Sequence, residues 1–159
     1  MHASRPISAK CFFVAWIFCW VTAIYVPSAL LTLLDLSPLA EGKSLLDGTF
    51  AVADEVAPAA KMGFALSFAS LALAVRRYAP LPGLVMLATD MLLACLAMLL
   101  VLAALPEDWS RGFGIGLTGT RFAPRATLIY VGSALLSGLV FSISEARCSL
   151  QAASKPSPE

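Results

Sequence analysis

Hydrophobic and polar positions alternate in blocks along this chain. Four long apolar runs, 11–34, 56–75, 81–105 and 127–146, are separated by short polar stretches. A run of about 18 or more apolar residues is long enough to cross a ~30 Å hydrocarbon core as a helix. The pattern therefore predicts an all-α, integral membrane four-helix transmembrane bundle. Backbone polar groups in lipid must be satisfied within each segment, and a helix does this. The predicted organisation is a tail at 1–10, a four-span domain at 11–147 and a disordered tail at 148–159.

The first run follows a short basic segment with Arg5 and Lys10. Its apolar stretch is much longer than the ~7–15 residues of a signal-peptide core. It reads as a retained span, with Pro27 as a candidate kink. Between the first two spans lies an acidic loop holding Asp35, Glu41, Asp47, Asp54 and Glu55 against Lys43. Spans two and three are joined by a very short turn after Arg76 and Arg77, which makes them antiparallel neighbours.

Basic residues set the expected orientation. Arg5, Lys10, Arg76, Arg77, Arg147 and Lys155 fall on one side, and Lys43, Lys61, Arg111, Arg121 and Arg125 on the other. Six against five, with the tight basic hairpin weighted most, places both termini in the cytoplasm of a plasma or inner membrane. Lys61, Arg76, Arg77, Arg111, Arg121 and Arg125 are candidate interface or lipid head-group contacts, since long basic side chains snorkel to the interface.

Composition agrees with this reading: 59% of residues are hydrophobic and 13% charged, against roughly a quarter charged in soluble domains. Net charge is +1, and no clustered basic face points to nucleic acid. The expected partners are the lipid bilayer and either a second copy of the chain or other membrane proteins. Helix contacts in lipid favour small residues, so Gly63, Ser67, Ser70, Ser133, Ser137 and Gly138 are the candidate packing positions.

Asp90 is the main chemical candidate. It lies ~12 Å inside the third span at 1.5 Å per residue. An ionised carboxylate is costly there and normally faces protein or water. Two readings stay open. One is a structural polar lock, with Asp90 protonated or bonded to Thr89, Ser67, Ser70 or Thr22. The other is a proton, cation or cationic-substrate site. A Lys61–Asp90 pair is disfavoured by a depth difference of roughly 9 Å.

Cys11, Cys19, Cys95 and Cys148 form no C-x-x-C pair and read as buried or lipid-facing small residues. Cys11 and Cys148 sit at span ends on one side, where palmitoylation is the alternative. Gly114, Gly116 and Gly119 satisfy G-x-G-x-x-G, but no βαβ unit surrounds them, so a flexible or re-entrant loop is the expectation. The only histidine is His2. This excludes bis-His haem ligation, a His-based metal centre and a Ser-His-Asp set within the spans. No cofactor, metal or catalytic residue is predicted, and the expected role is non-enzymatic.

The third run, Leu81 to Leu105, with Leu-Pro-Gly-Leu-Val-Met-Leu-Ala-Thr-Asp-Met-Leu-Leu at its start, resembles the acid-bearing third span of MARVEL-type and Casparian-strip-like membrane proteins. The segment Arg125 to Arg147 resembles the last helix of that family. The first span lacks the arginine that Casparian-strip-like proteins carry there. The resemblance implies membrane scaffolding or organisation by lateral assembly. A small transporter, channel or accessory transport subunit using Asp90 is the competing function.

Overall fold

The computed structural model describes residues 8–56, 58–78, 81–104 and 124–154. They form five α-helices and one short 3-10 turn, with no strand among the described residues. The helices are α1 (Ala9–Leu33), α2 (Leu45–Glu55), α3 (Pro58–Tyr78), α4 (Gly83–Ala104) and α5 (Pro124–Ala153). Four of them, α1, α3, α4 and α5, are long and apolar enough to cross a membrane. Helix α1 packs on α5 and α3, α3 on α4, and α4 on α5, which closes a four-helix ring.

The bundle keeps small side chains inside and many large apolar ones outside, the distribution expected of helices in lipid. Its core is small and tight: Ala15, Cys19, Ala72, Ala94, Ala97 and Ala134 are wholly buried, with Phe68 and Phe141 filling the centre. Larger apolar side chains point outward, among them Phe13, Phe18, Leu66, Leu92 and Leu128. Lipid solvates such residues as well as a core would, so close backbone approach through small residues becomes the packing principle. Phe68 and Phe141 meet edge to face at 5.0 Å between centroids, and Phe12 meets Phe141 at 5.4 Å.

Two tryptophans set the register of α1 against α3. The Trp16 indole N–H donates to the Ala65 carbonyl at 2.9 Å, and the Trp20 indole to the Lys61 carbonyl at 3.0 Å. Both pairs are spaced by four residues, one helical turn, so the two antiparallel helices are pinned at two successive rungs.

The expected acidic loop is instead structured. Ser44 caps α2: its Oγ accepts from the Asp47 backbone N–H at 3.2 Å and donates to the Asp47 carboxylate at 2.7 Å. Ser44 is thus a side-chain N-cap, with an acidic residue in the first turn favourable to the helix dipole. Gly48 lets α2 lie against the end of α1, since a Cβ there would sit 2.6 Å from Thr32 Cγ2. Leu46 and Phe50 remain exposed on the other face. Helix α1 ends in a Schellman motif, with Leu36 N–H donating to Leu31 O and Asp35 N–H to Thr32 O. Asp35 holds the left-handed position at φ 53°. Pro27 lies inside α1 without ending it.

The fourth apolar helix runs to Ala153, well past the boundary expected near 146, so the start of the expected disordered tail is helical. The glycines of the second loop, with Arg111 and Arg121, lie outside the described residues, as do residues 1–7 and 155–159. Arg125 falls in the first turn of α5, and its side chain is not described.

Candidate functional site

Asp90 is wholly buried on α4, but its partners differ from those expected. Arg76 from the last turn of α3 reaches it with two nitrogens: Nη1 donates to Oδ1 at 2.9 Å and Nη2 to Oδ2 at 3.0 Å. The same guanidinium turns its other edge to α5. There Nε donates to Glu145 Oε1 at 3.3 Å and Nη2 to Oε2. One guanidinium thus joins two carboxylates and ties three helices together. A planar fork with five donors can do this, whereas a lysine ammonium cannot match both carboxylates in bidentate fashion.

The helix geometry explains the reach. Arg76 lies two residues before the end of α3, and Asp90 seven residues after the start of α4. In an antiparallel pair, this places Asp90 about 7 Å deeper on the helical rise. An extended arginine side chain covers that gap. The guanidinium carbon also lies 4.8 Å from the Phe141 ring centroid and 5.8 Å from that of Phe12, within cation–π range. The Arg76 side chain is 4% exposed and the Glu145 side chain 19%. The cluster therefore touches the outside through Glu145 alone of the three.

The packing behind Asp90 is equally close. At Gly138 on α5, an added Cβ would lie 2.5 Å from the Asp90 backbone oxygen and 2.6 Å from Met91 Cα. Gly138, Ser133 and Ser137 are all buried. The Ser137 hydroxyl donates to Ala134 O at 2.8 Å, while the buried Ser133 hydroxyl has no hydrogen-bond partner among the described residues. Gly63 approaches α4 at Val101.

Several expected placements need correction. Thr89 donates to Val85 O and Thr22 to Phe18 O, each within its own helix, so neither serves Asp90. Intrahelical bonding of this kind is the default for a hydroxyl in a helix. Ser70 is exposed and Ser67 only partly buried. The buried face of α3 is made instead by Ala60, Phe64, Ala65, Phe68 and Ala72. Arg76 is a buried ion-pair partner rather than an interface residue, whereas its neighbour Arg77 is exposed. Lys61 is half-buried near the opposite end of α3, beside α1 and α2. Glu145 was not singled out at all. The signal available in the sequence was its four-residue spacing from Phe141, which puts both on one face of α5.

The cysteines are the last correction. Cys11 at the start of α1 and Cys148 near the end of α5 form a disulfide across 137 residues of chain, with Cα atoms 5.4 Å apart. They are thus neither free thiols nor available for acylation in this state. Cys19 and Cys95 are free.

Comparison of the chain with protein-family models, with curated proteins and with solved structures finds no match.

Proposed function

We propose that the protein is a non-enzymatic, membrane-embedded structural or organising component that acts by lateral association with copies of itself or with other membrane proteins. The observation that carries this reading is the double engagement of Arg76 by Asp90 and Glu145. The acid holds Arg76, which in turn ties α3, α4 and α5 together, as a locking element does. A disulfide closing α1 on α5 at the same end of the bundle supports the same reading. The exposed apolar faces of the rigid bundle then supply the association surface. Cross-linking in native membranes tests this. Defined adducts that survive dilution of the membrane with added lipid support the proposal, and a chain that stays monomeric and captures nothing overturns it.

One observation favours the transport reading. Two carboxylates share one guanidinium, so the fully ionised cluster carries one uncompensated negative charge beside a partly exposed Glu145. Such a group would hold one exchangeable proton or monovalent cation. Proton flux into liposomes that is lost in Asp90→Asn while assembly persists would select this reading over the first.

The expected orientation is also revised as part of the proposal. Disulfides persist in oxidising compartments and are rare in the cytosol. Arg76 is spent inside the bundle, which reduces the charge balance from six against five to five against five. We therefore place the end bearing Cys11, Cys148 and both tails on the oxidising side of the membrane.

A further inference from the structure

At the opposite end of the bundle, α1, α2 and α3 enclose a cleft of about 640 Å³. This is within the ~300–1,000 Å³ typical of small-molecule sites. Trp20, Ile24 and Tyr25 of α1 and Phe50 of α2 form apolar walls, and two charged residues, Asp54 and Lys61, complete the lining. We propose that this cleft binds a zwitterionic, amine-headed phospholipid of the phosphatidylethanolamine type, taking the head group between Lys61 and Asp54 and the upper acyl chain along the aromatic wall.

The charges carry the argument. Lys61 stands in the first turn of α3 and Asp54 in the last turn of α2. Both line the cleft, yet they do not pair with each other: the ion pairs among the described residues are those of Arg76. A lone anion would meet Lys61 but be repelled by Asp54, and a lone cation would meet the reverse. A phosphate followed at short distance by a primary ammonium satisfies both with charge-assisted hydrogen bonds.

Location selects a lipid over a soluble zwitterion. Lys61 is about 5 Å from the start of α3 by helical rise, at the end of that apolar helix. Tyr25 is exposed on the cleft wall and meets Phe50 edge to face at 5.6 Å, an aromatic pair of the kind that marks membrane interfaces. Helix α2 runs back along α1, with Gly48 against Thr32 and Phe50 against Tyr25, and leaves Leu46 and Phe50 exposed. The Trp20 bond to the Lys61 carbonyl holds the α1 and α3 walls together beneath the head group.

The test uses the full chain, delipidated in detergent and titrated with phosphatidylethanolamine, phosphatidylglycerol or soluble phosphoethanolamine, with lipid retention read by native mass spectrometry. The wild type should retain phosphatidylethanolamine about tenfold more tightly than phosphatidylglycerol, a difference of about 1.4 kcal/mol. Lys61→Met should weaken retention of both lipids. Asp54→Asn should weaken phosphatidylethanolamine and strengthen phosphatidylglycerol, narrowing or reversing the preference. Formation of the Cys11–Cys148 cross-link reports that each variant is folded. If a variant fails that check, Ala51→Phe, which fills the cleft from its wall, should abolish retention of phosphatidylethanolamine. Equal retention of the two lipids by the wild type, or variants with unchanged retention, overturns the proposal. Competition by soluble phosphoethanolamine at lipid-like concentrations also overturns it, in favour of a site for the free head group.

Discussion

Gly138 and Asp90 meet backbone to backbone: a single added carbon at Gly138 would lie 2.5 Å from the Asp90 carbonyl oxygen. This close approach of α4 and α5 lies at the level where Asp90 holds Arg76. The obstacle is main chain, which cannot rotate aside as a side chain would. Gly138→Ala should therefore destabilise the bundle by about 1–3 kcal/mol, the usual cost of overpacking. Gly132→Ala on the same helix, where nothing lies within 4 Å of the added carbon, should be neutral or better. Thermal unfolding in detergent measures the contrast.

The three members of the ion cluster should not be equivalent. Removing the shared cation by Arg76→Met leaves two carboxylates facing each other in a buried site. Breaking a buried pair on one side costs about 3–5 kcal/mol. Asp90→Asn keeps the Arg76–Glu145 pair and should cost less, and Glu145→Gln, at the exposed edge, least. A double-mutant cycle on the Arg76–Asp90 pair should give a clear coupling energy, because the two side chains are in direct contact. If all three single variants lose the same stability, Arg76 is not the hub.

Reduction of Cys11–Cys148 should lower the unfolding temperature without releasing the fold, because Arg76 and the Phe12–Phe141 contact hold the same end of the bundle. Disulfides contribute about 2–4 kcal/mol in typical cases. Cys11→Ala should match the reduced wild type. In cells, a non-reducing gel mobility shift that disappears with dithiothreitol is expected, together with a carboxy-terminal reporter active on the oxidising side. A reduced pair in cells and a cytoplasmic reporter would restore the orientation read from charge.

Asp35 occupies the left-handed position that closes α1. Asp tolerates this conformation because its short side chain bonds locally, whereas a β-branched residue does not. Asp35→Val should cost about 1–2 kcal/mol, and Asp35→Gly should be tolerated. Circular dichroism melts of the two variants decide this.

The four spans were legible because lipid offers no partner for backbone polar groups, so about 20 apolar residues in a row leave the helix as the only solution. Asp90 was legible for the same reason, since a carboxylate surrounded by leucines needs an explanation. Its partner was not. Arg76 looks in sequence like a basic flank marking a membrane boundary, and Glu145 like a polar exit. Only the depth of α3 against α4 turns the guanidinium inward. Helix α2 was hidden by its acidic residues, although Ser44 and Asp47 already carried a capping signal. The Cys11–Cys148 bond was further from reach. Residues 137 positions apart become neighbours only when α5 returns antiparallel to α1, and no local pattern encodes that meeting. Hydrophobic runs are a property of each segment alone and can be read one residue after another. Ion pairs, disulfides and clefts depend on the rotation and depth of one helix against the next, which arise only once small residues such as Gly138 have let the backbones close.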